Sequence, residues 1–181
     1  MLARPDPRGR RLTMTKIFMG DTMKTIMTTV AAAAIAGLAA GAGADTFDAT
    51  GTGQGTSNSE PMPLADALVV VHAVSEYTGF EMANPGSPMA SATGPCFGSV
   101  VINAGRVTGG GHCAYTDGDG DSWVAQWTAD GMSEDGRTQG DWQIVGGTGK
   151  WQGASGGGRF DAGTDAAGTY TNNVTGSITM P

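Results

Sequence analysis

Cys96 and Cys113 stand equidistant from one short turn, and little else in the chain limits its fold so sharply. Cys96 lies seven places before Asn103, and Cys113 lies seven places after Arg106. If Ala104-Gly105 is a two-residue hairpin loop, Asn103 faces Arg106 and the two cysteines face each other across the ladder. That separation suits a disulfide. A three-residue turn with a bulge at Asn103-Ala-Gly105 shifts the register by one, so the sequence leaves both turns open. A Cys96–Cys113 bridge would close a loop for which chain entropy gives about 3 kcal/mol. The alternative is a pair of free, buried thiols.

The register assigns faces, because opposed residues in a ladder point the same way. Cys96, Gly98, Val100 and Ile102 share a face with Val107, Gly109, Gly111, Cys113 and Tyr115. With a further turn centred on Asp119, that face continues through Trp123, Ala125 and Trp127. The opposite face carries Ser99, Asn103, Arg106, Thr108, His112, Thr116, Ser122, Gln126 and Thr128, interrupted by Phe97, Val101 and Val124. The first face is therefore expected inside. Its glycines either bend strands at corners or leave room for a guest.

The same alternation, with recurrent turn signals and few helix-forming runs, predicts strands over 46–56, 66–78, 96–102, 106–116, 121–129, 137–145, 156–162 and 168–179. The expected fold is all-β, an eight-stranded antiparallel up-and-down β-barrel. Between the second and third strands, the proline-rich stretch 82–95 is too long for a hairpin. It reads either as a lid or mouth loop or as an ordinary surface excursion.

Upstream, Lys24 precedes an apolar, alanine-rich run from Ile26 to Ala40 that ends in Ala42-Gly43-Ala44. This is the pattern of a secretory signal cleaved before Asp45. The run is shorter and less apolar than a spanning helix needs, so the mature chain is not expected to span a membrane. The expected organisation is a leader over 1–22 that is not native to the protein, a signal peptide over 23–44 beginning at Met23, and a barrel domain over 45–181. Periplasmic or secreted localisation follows, and the oxidising compartment favours the disulfide. The barrel domain carries four basic residues against fifteen acidic ones, a difference of −11. Such a field repels phosphate backbones, so no nucleic-acid partner is expected.

Several motifs invite chemistry. Asp117, Asp119 and Asp121 alternate with glycine as at the start of a calcium loop. Ser122 stands where that loop needs glycine and Thr128 where it needs glutamate, so an Asp-Gly hairpin is favoured and the three carboxylates remain weak metal candidates. Gly146-Gly-Thr-Gly-Lys150 lacks both the leading glycine and the Ser or Thr of a phosphate loop, and reads as a tight turn with several positive φ angles. No cofactor is expected. His72 and Glu76 share one side of the second strand and are the candidates for proton transfer. That strand is apolar on both faces, so which side points inward stays open, with Tyr77 the rival on the other side. Tyr115, Trp123 and Trp127 form an aromatic line that either fills a core or walls a ligand site.

The stretch Trp142-Gln-Ile-Val-Gly-Gly-Thr-Gly-Lys-Trp-Gln-Gly-Ala-Ser-Gly156, followed by a glycine-rich strand and a last strand ending Gly176-Ser-Ile-Thr-Met, resembles the allene oxide cyclase and dirigent-like barrels. Pro95-Cys-Phe-Gly and the segment from Cys113 to Asp121 look like those of uncharacterised exported bacterial proteins of this barrel type. The resemblance implies a barrel with an apolar lumen, in which relatives hold a reactive small molecule in one conformation. It matches no catalytic residue to a position here. The first expectation is an exported barrel that binds a small, largely apolar molecule through Tyr77, Tyr115, Trp123 and Trp127. A cyclase or isomerase using His72 or Glu76 is the second, and a non-catalytic envelope or interaction protein the third. A homo-oligomer is compatible with the resemblance, although no interface is legible.

Overall fold

Ala104 and Gly105 both take positive φ, 50° and 80°, in the two-residue turn whose twist matches its flanking strands. Asn103 thus faces Arg106, and Cys96 faces Cys113 and is joined to it by a disulfide. The three-residue alternative is not used. The structure is a computed structural model that describes residues 43–181. The leader expected over 1–22 and all but the last two residues of the expected signal peptide lie outside the described residues.

The strands are β1 (Asp45–Asp48), β2 (Gly51–Ser57), β3 (Glu60–Ala65), β4 (Leu68–Met82), β5 (Gly94–Asn103), β6 (Arg106–Thr116), β7 (Ser122–Met132), β8 (Thr138–Gly147), β9 (Ser155–Thr164) and β10 (Tyr170–Met180). Eight of them, β2 and β4 to β10, pair antiparallel in sequence order, and β10 closes the ring by pairing with both β9 and β2. Closure leaves these staves without a free edge. The barrel read from alternation is the barrel observed.

The two additional strands flank it. The strand expected over 46–56 is two strands, β1 beside the end of β10 and β2 beside its start. At the break, Asp48 Oδ1 accepts the Thr50 N–H at 2.8 Å. β3 pairs with the first part of β4, every residue of it exposed. Pro61 and Pro63 concealed this strand from pattern reading, since proline cannot donate to a ladder and is tolerated at an edge.

Pairing with β5 sets Val71 opposite Val100 and Ser75 opposite Cys96, and a bulge then interrupts the alternation of β4. Gln54 pairs with Gly79 and Gly55 with Tyr77, so Thr78 is the extra residue. Before it Val71, Ala73, Ser75 and Tyr77 face inward; after it Phe80 does. On β5 to β7 the expected inner residues Val100, Val107, Cys113, Tyr115, Trp123 and Ala125 are all buried. Gly98 has a different use from either expected: a Cβ there would strike the Trp127 indole and the Gly110 carbonyl. Its missing side chain is filled by Trp127.

One end of the barrel is closed. The stretch expected as a lid, mouth loop or surface excursion folds across this end as its floor, where Met89 and Ala92 are buried in one core with Ala49, Trp151 and Ile178. The glycine-rich turn also differs from expectation. Gly146 and Gly147 belong to β8, and of the five residues Gly146 to Lys150 only Gly149 takes positive φ, at 52°. A single 3-10 turn, Gly149–Trp151, follows and sinks Trp151 into the floor.

Candidate functional site

Inward-facing residues from every stave enclose a cavity of about 310 Å³. Its exposed wall residues Ser59, Met132, Gly136 and Thr164 lie at the end of the barrel opposite the floor, and there the lumen opens. Arg137 pins this rim from outside. It pairs with the Asp161 carboxylate and donates to the carbonyls of Asp161 and Thr171 at 2.7 and 3.1 Å, tying three segments together.

The wall is aromatic towards the floor. Tyr77 stacks on Phe80 at 5.3 Å between ring centres, and Tyr115 meets Trp123 at 4.5 Å. Trp123 in turn stacks on Trp151 of the floor at 4.9 Å. Trp127 stands apart from this group, edge-on to Phe160 at 6.1 Å. The four expected aromatic residues Tyr77, Tyr115, Trp123 and Trp127 all line the lumen.

Polar groups are few and concentrated. Asn172 Nδ2 donates to the Tyr77 hydroxyl at 2.9 Å, and the hydroxyls of Tyr77 and Tyr170 are 3.0 Å apart. Burial pushes the Tyr77 phenol well above its usual range, with Tyr115 and Tyr170 adding to the effect. Burial likewise raises Tyr115, with a further push from Tyr170. Both therefore stay neutral at ordinary pH. Asn172 Oδ1 and the indole Nε1 atoms of Trp123 and Trp127 are buried with no hydrogen-bond partner among the described residues.

His72 and Glu76 are exposed on the outer face of β4. They cannot serve the lumen as an acid–base pair, because the β4 parity that brings Tyr77 inward turns them out. His112 is also exposed outside.

The three aspartates at the β6–β7 tip are committed to the fold. Asp117 accepts the Trp151 Nε1–H at 2.7 Å and lies 3.0 Å from Lys150 Nζ, which also pairs with Asp119. Asp121 accepts the Lys150 N–H at 3.0 Å. Burial alone would raise the Asp117 carboxyl; the bonds from Trp151, Lys150 and the N–H groups of Asp119 and Asp121 outweigh it and hold it below the usual carboxylate range. The Lys150 ammonium thus occupies the part a metal cation would play between Asp117 and Asp119.

Sequence reading missed Phe80, Trp142, Phe160, Tyr170 and Asn172, all of which line the lumen. For the last strand the signal existed: Tyr170, Asn172 and Val174 alternate with Thr171, Asn173 and Thr175. A lone asparagine on the apolar side of that alternation marks the polar spot.

Fold and site together define a closed antiparallel barrel with an apolar lumen, sealed at one end. No protein-family model and no curated protein matches the chain. Among solved structures it is similar to the pterocarpan synthase dirigent protein GePTS1, at 16% identity and a TM-score of 0.46, with 76% of this chain and 89% of that chain covered.

Proposed function

We propose that this protein is an exported barrel whose lumen binds a small, largely apolar molecule. One observation carries the reading: a cavity of about 310 Å³ remains inside a barrel otherwise packed with aromatic side chains. That volume lies at the lower end of small-molecule sites, which are typically about 300–1,000 Å³ with apolar walls and a few convergent polar groups. Tyr77, Tyr115, Trp123 and Trp127 supply the apolar surface. Asn172 and Tyr170 add the polar groups.

Export is supported by the signal pattern after Lys24 and by the Cys96–Cys113 disulfide, which suits an oxidising compartment. No helix among the described residues is long and apolar enough to cross a membrane. The outward positions of the middle staves are mostly polar, including Thr108, His112, Thr116, Gln126, Thr128 and Asp141, with Phe97 and Val145 the exposed apolar exceptions. A membrane-inserted barrel would instead present an apolar outer band.

A cyclase or isomerase reading now lacks its proton carriers, since His72 and Glu76 face away from the lumen. Native mass spectrometry of protein from its own host, with tryptophan fluorescence against a panel of apolar ligands, tests the binding reading. An adduct of fixed mass and a saturable change in emission are expected. Bare protein in the first experiment and a flat response in the second would refute it.

A further inference from the structure

One row of the barrel wall is built from small side chains, and the lumen is open beside it. Ser57, Ser75, Cys96, Cys113 and Ala125 stand opposite one another in successive pairs across β2, β4, β5, β6 and β7, and all line the cavity. Towards the floor, the next inward residues of β4, β6 and β7 are Tyr77, Tyr115 and Trp123. On the far side of the ring, β8 and β9 present Trp142 and Phe160 to the lumen. A guest in the cavity therefore lies between a strip of small side chains and aromatic walls.

Ser75 is the member of that row with an unmet polar group. The Ser57 hydroxyl lies 3.1 Å from that of Ser59 and donates to the Val74 carbonyl at 3.3 Å. Ser75 is 8% exposed, and its hydroxyl meets no hydrogen-bond partner among the described residues. The partnerless polar atoms that are fully sealed inside the protein are Asn172 Oδ1 and Nε1 of Trp123 and Trp127. Ser75 Oγ is not one of these, so it keeps an accessible surface, and its place on the cavity wall turns that surface to the lumen. A donor left unmet in an apolar cavity carries a free-energy cost that an oxygen of the guest relieves.

The cavity wall includes no Asp, Glu, Lys, Arg or His. A charged guest would be stripped of water with no countercharge, which disfavours it strongly. For the same reason Ser75 has no base beside it to take its proton, so it binds rather than attacks.

We infer that Ser75 sets the specificity of the lumen: the guest is a neutral, apolar molecule with an oxygen acceptor, a carbonyl or an ether, that takes the Ser75 Oγ–H while its apolar body lies along Cys96, Cys113 and Ala125. The inference rests on the lumen being the ligand site, as proposed above.

A series of matched shape tests it: 2-isopropylnaphthalene, 2-acetylnaphthalene and 2-naphthoate, titrated calorimetrically into the protein at pH 7. Binding of the ketone about fivefold tighter than the hydrocarbon is expected, the ordinary net worth of a hydrogen bond, with the naphthoate weakest. Ser75→Ala should erase the preference for the ketone while the hydrocarbon binds as before, which shows the lumen intact. Ala125→Leu, which fills the row without touching the serine, should weaken all three. If the hydrocarbon matches the ketone, if the preference survives Ser75→Ala, if Ala125→Leu leaves all three unchanged, or if the naphthoate binds best, the inference falls and the binding reading stands. If none of the three binds, both fall.

Discussion

The indole Nε1–H of Trp151 donates to the carboxylate of Asp117 at 2.7 Å, fastening the turn between β8 and β9 to the hairpin between β6 and β7. Both side chains are buried, Trp151 completely. Thirty-four residues separate them in sequence, so the bond ties two loops that local pattern reading treats independently. It fixes the floor against which Trp123 stacks and thereby sets the depth of the lumen.

Removing the acceptor should be costly. Asp117→Ala leaves the Trp151 N–H buried without a partner and frees the N–H groups of Asp119 and Asp121, for an expected loss of about 2–4 kcal/mol. Little of this comes from Lys150, which is partly exposed. Trp151→Phe should lose somewhat more than the hydrogen bond alone, since a smaller ring also opens a cavity in the floor. Urea unfolding of the two single variants and the double variant measures the coupling. A coupling energy near zero would show that the bond does not hold the floor.

The carboxyl of Asp117 also sets an acid limit. Its folded value lies below the usual 3.8, so the stability it contributes is fully present above that unfolded value and is lost as pH falls through the folded one. Asp161 behaves alike: burial opposes its ionisation, but Arg137 and Gln139 outweigh burial and hold it low. Melting temperature should therefore be nearly flat as pH falls from 7 to about 4, then drop. Asp117→Asn should melt lower at neutral pH and show a shallower acid drop. An equally steep drop in that variant would assign the acid limb elsewhere.

Much of the barrel was legible because its hairpins carry local signals. The turn at Ala104-Gly105 fixed the register of β5 against β6 through two residues with positive φ, and alternation carried that register on to Trp127. Where reading failed, a non-local cause took over. The register of β4 on β5, which sets Val71 opposite Val100 and Ser75 opposite Cys96 and so turns Tyr77 inward and His72 outward, joins strands separated by a long loop and leaves no local mark. The long loop before β5 became a floor because Met89 and Ala92 find a buried surface made by Trp151 and Ile178. Asn172 was hidden for another reason, since its role depends on reaching Tyr77 across β2.

Loss of the disulfide should weaken the barrel without dismantling it. Cys96 and Cys113 are separated by 17 residues, for which constraint of the unfolded chain gives about 3 kcal/mol. The double variant Cys96→Ala, Cys113→Ala should melt roughly 10 °C lower for a domain of this size. The two strands retain their ladder, so the circular dichroism of the native state should be unchanged. A shift below a degree or two would indicate that the bridge adds no net stability.

The glycine beneath Trp127 offers a test of how the lumen wall is packed. A methyl group at Gly98 would meet the Trp127 ring and the Gly110 carbonyl, and the carbonyl belongs to a paired strand that cannot retreat. Gly98→Ala should therefore cost about 1–3 kcal/mol through overpacking and shift the tryptophan emission as the indole is displaced. Gly79 supplies the contrast, since nothing lies within 4 Å of a methyl group built there. Gly79→Ala should be neutral or slightly stabilising through the unfolded state. Thermal melts and fluorescence spectra of both variants, measured side by side, separate a specific seat for Trp127 from a general intolerance of alanine in these strands. Equal behaviour of the two would show that Gly98 does not provide that seat.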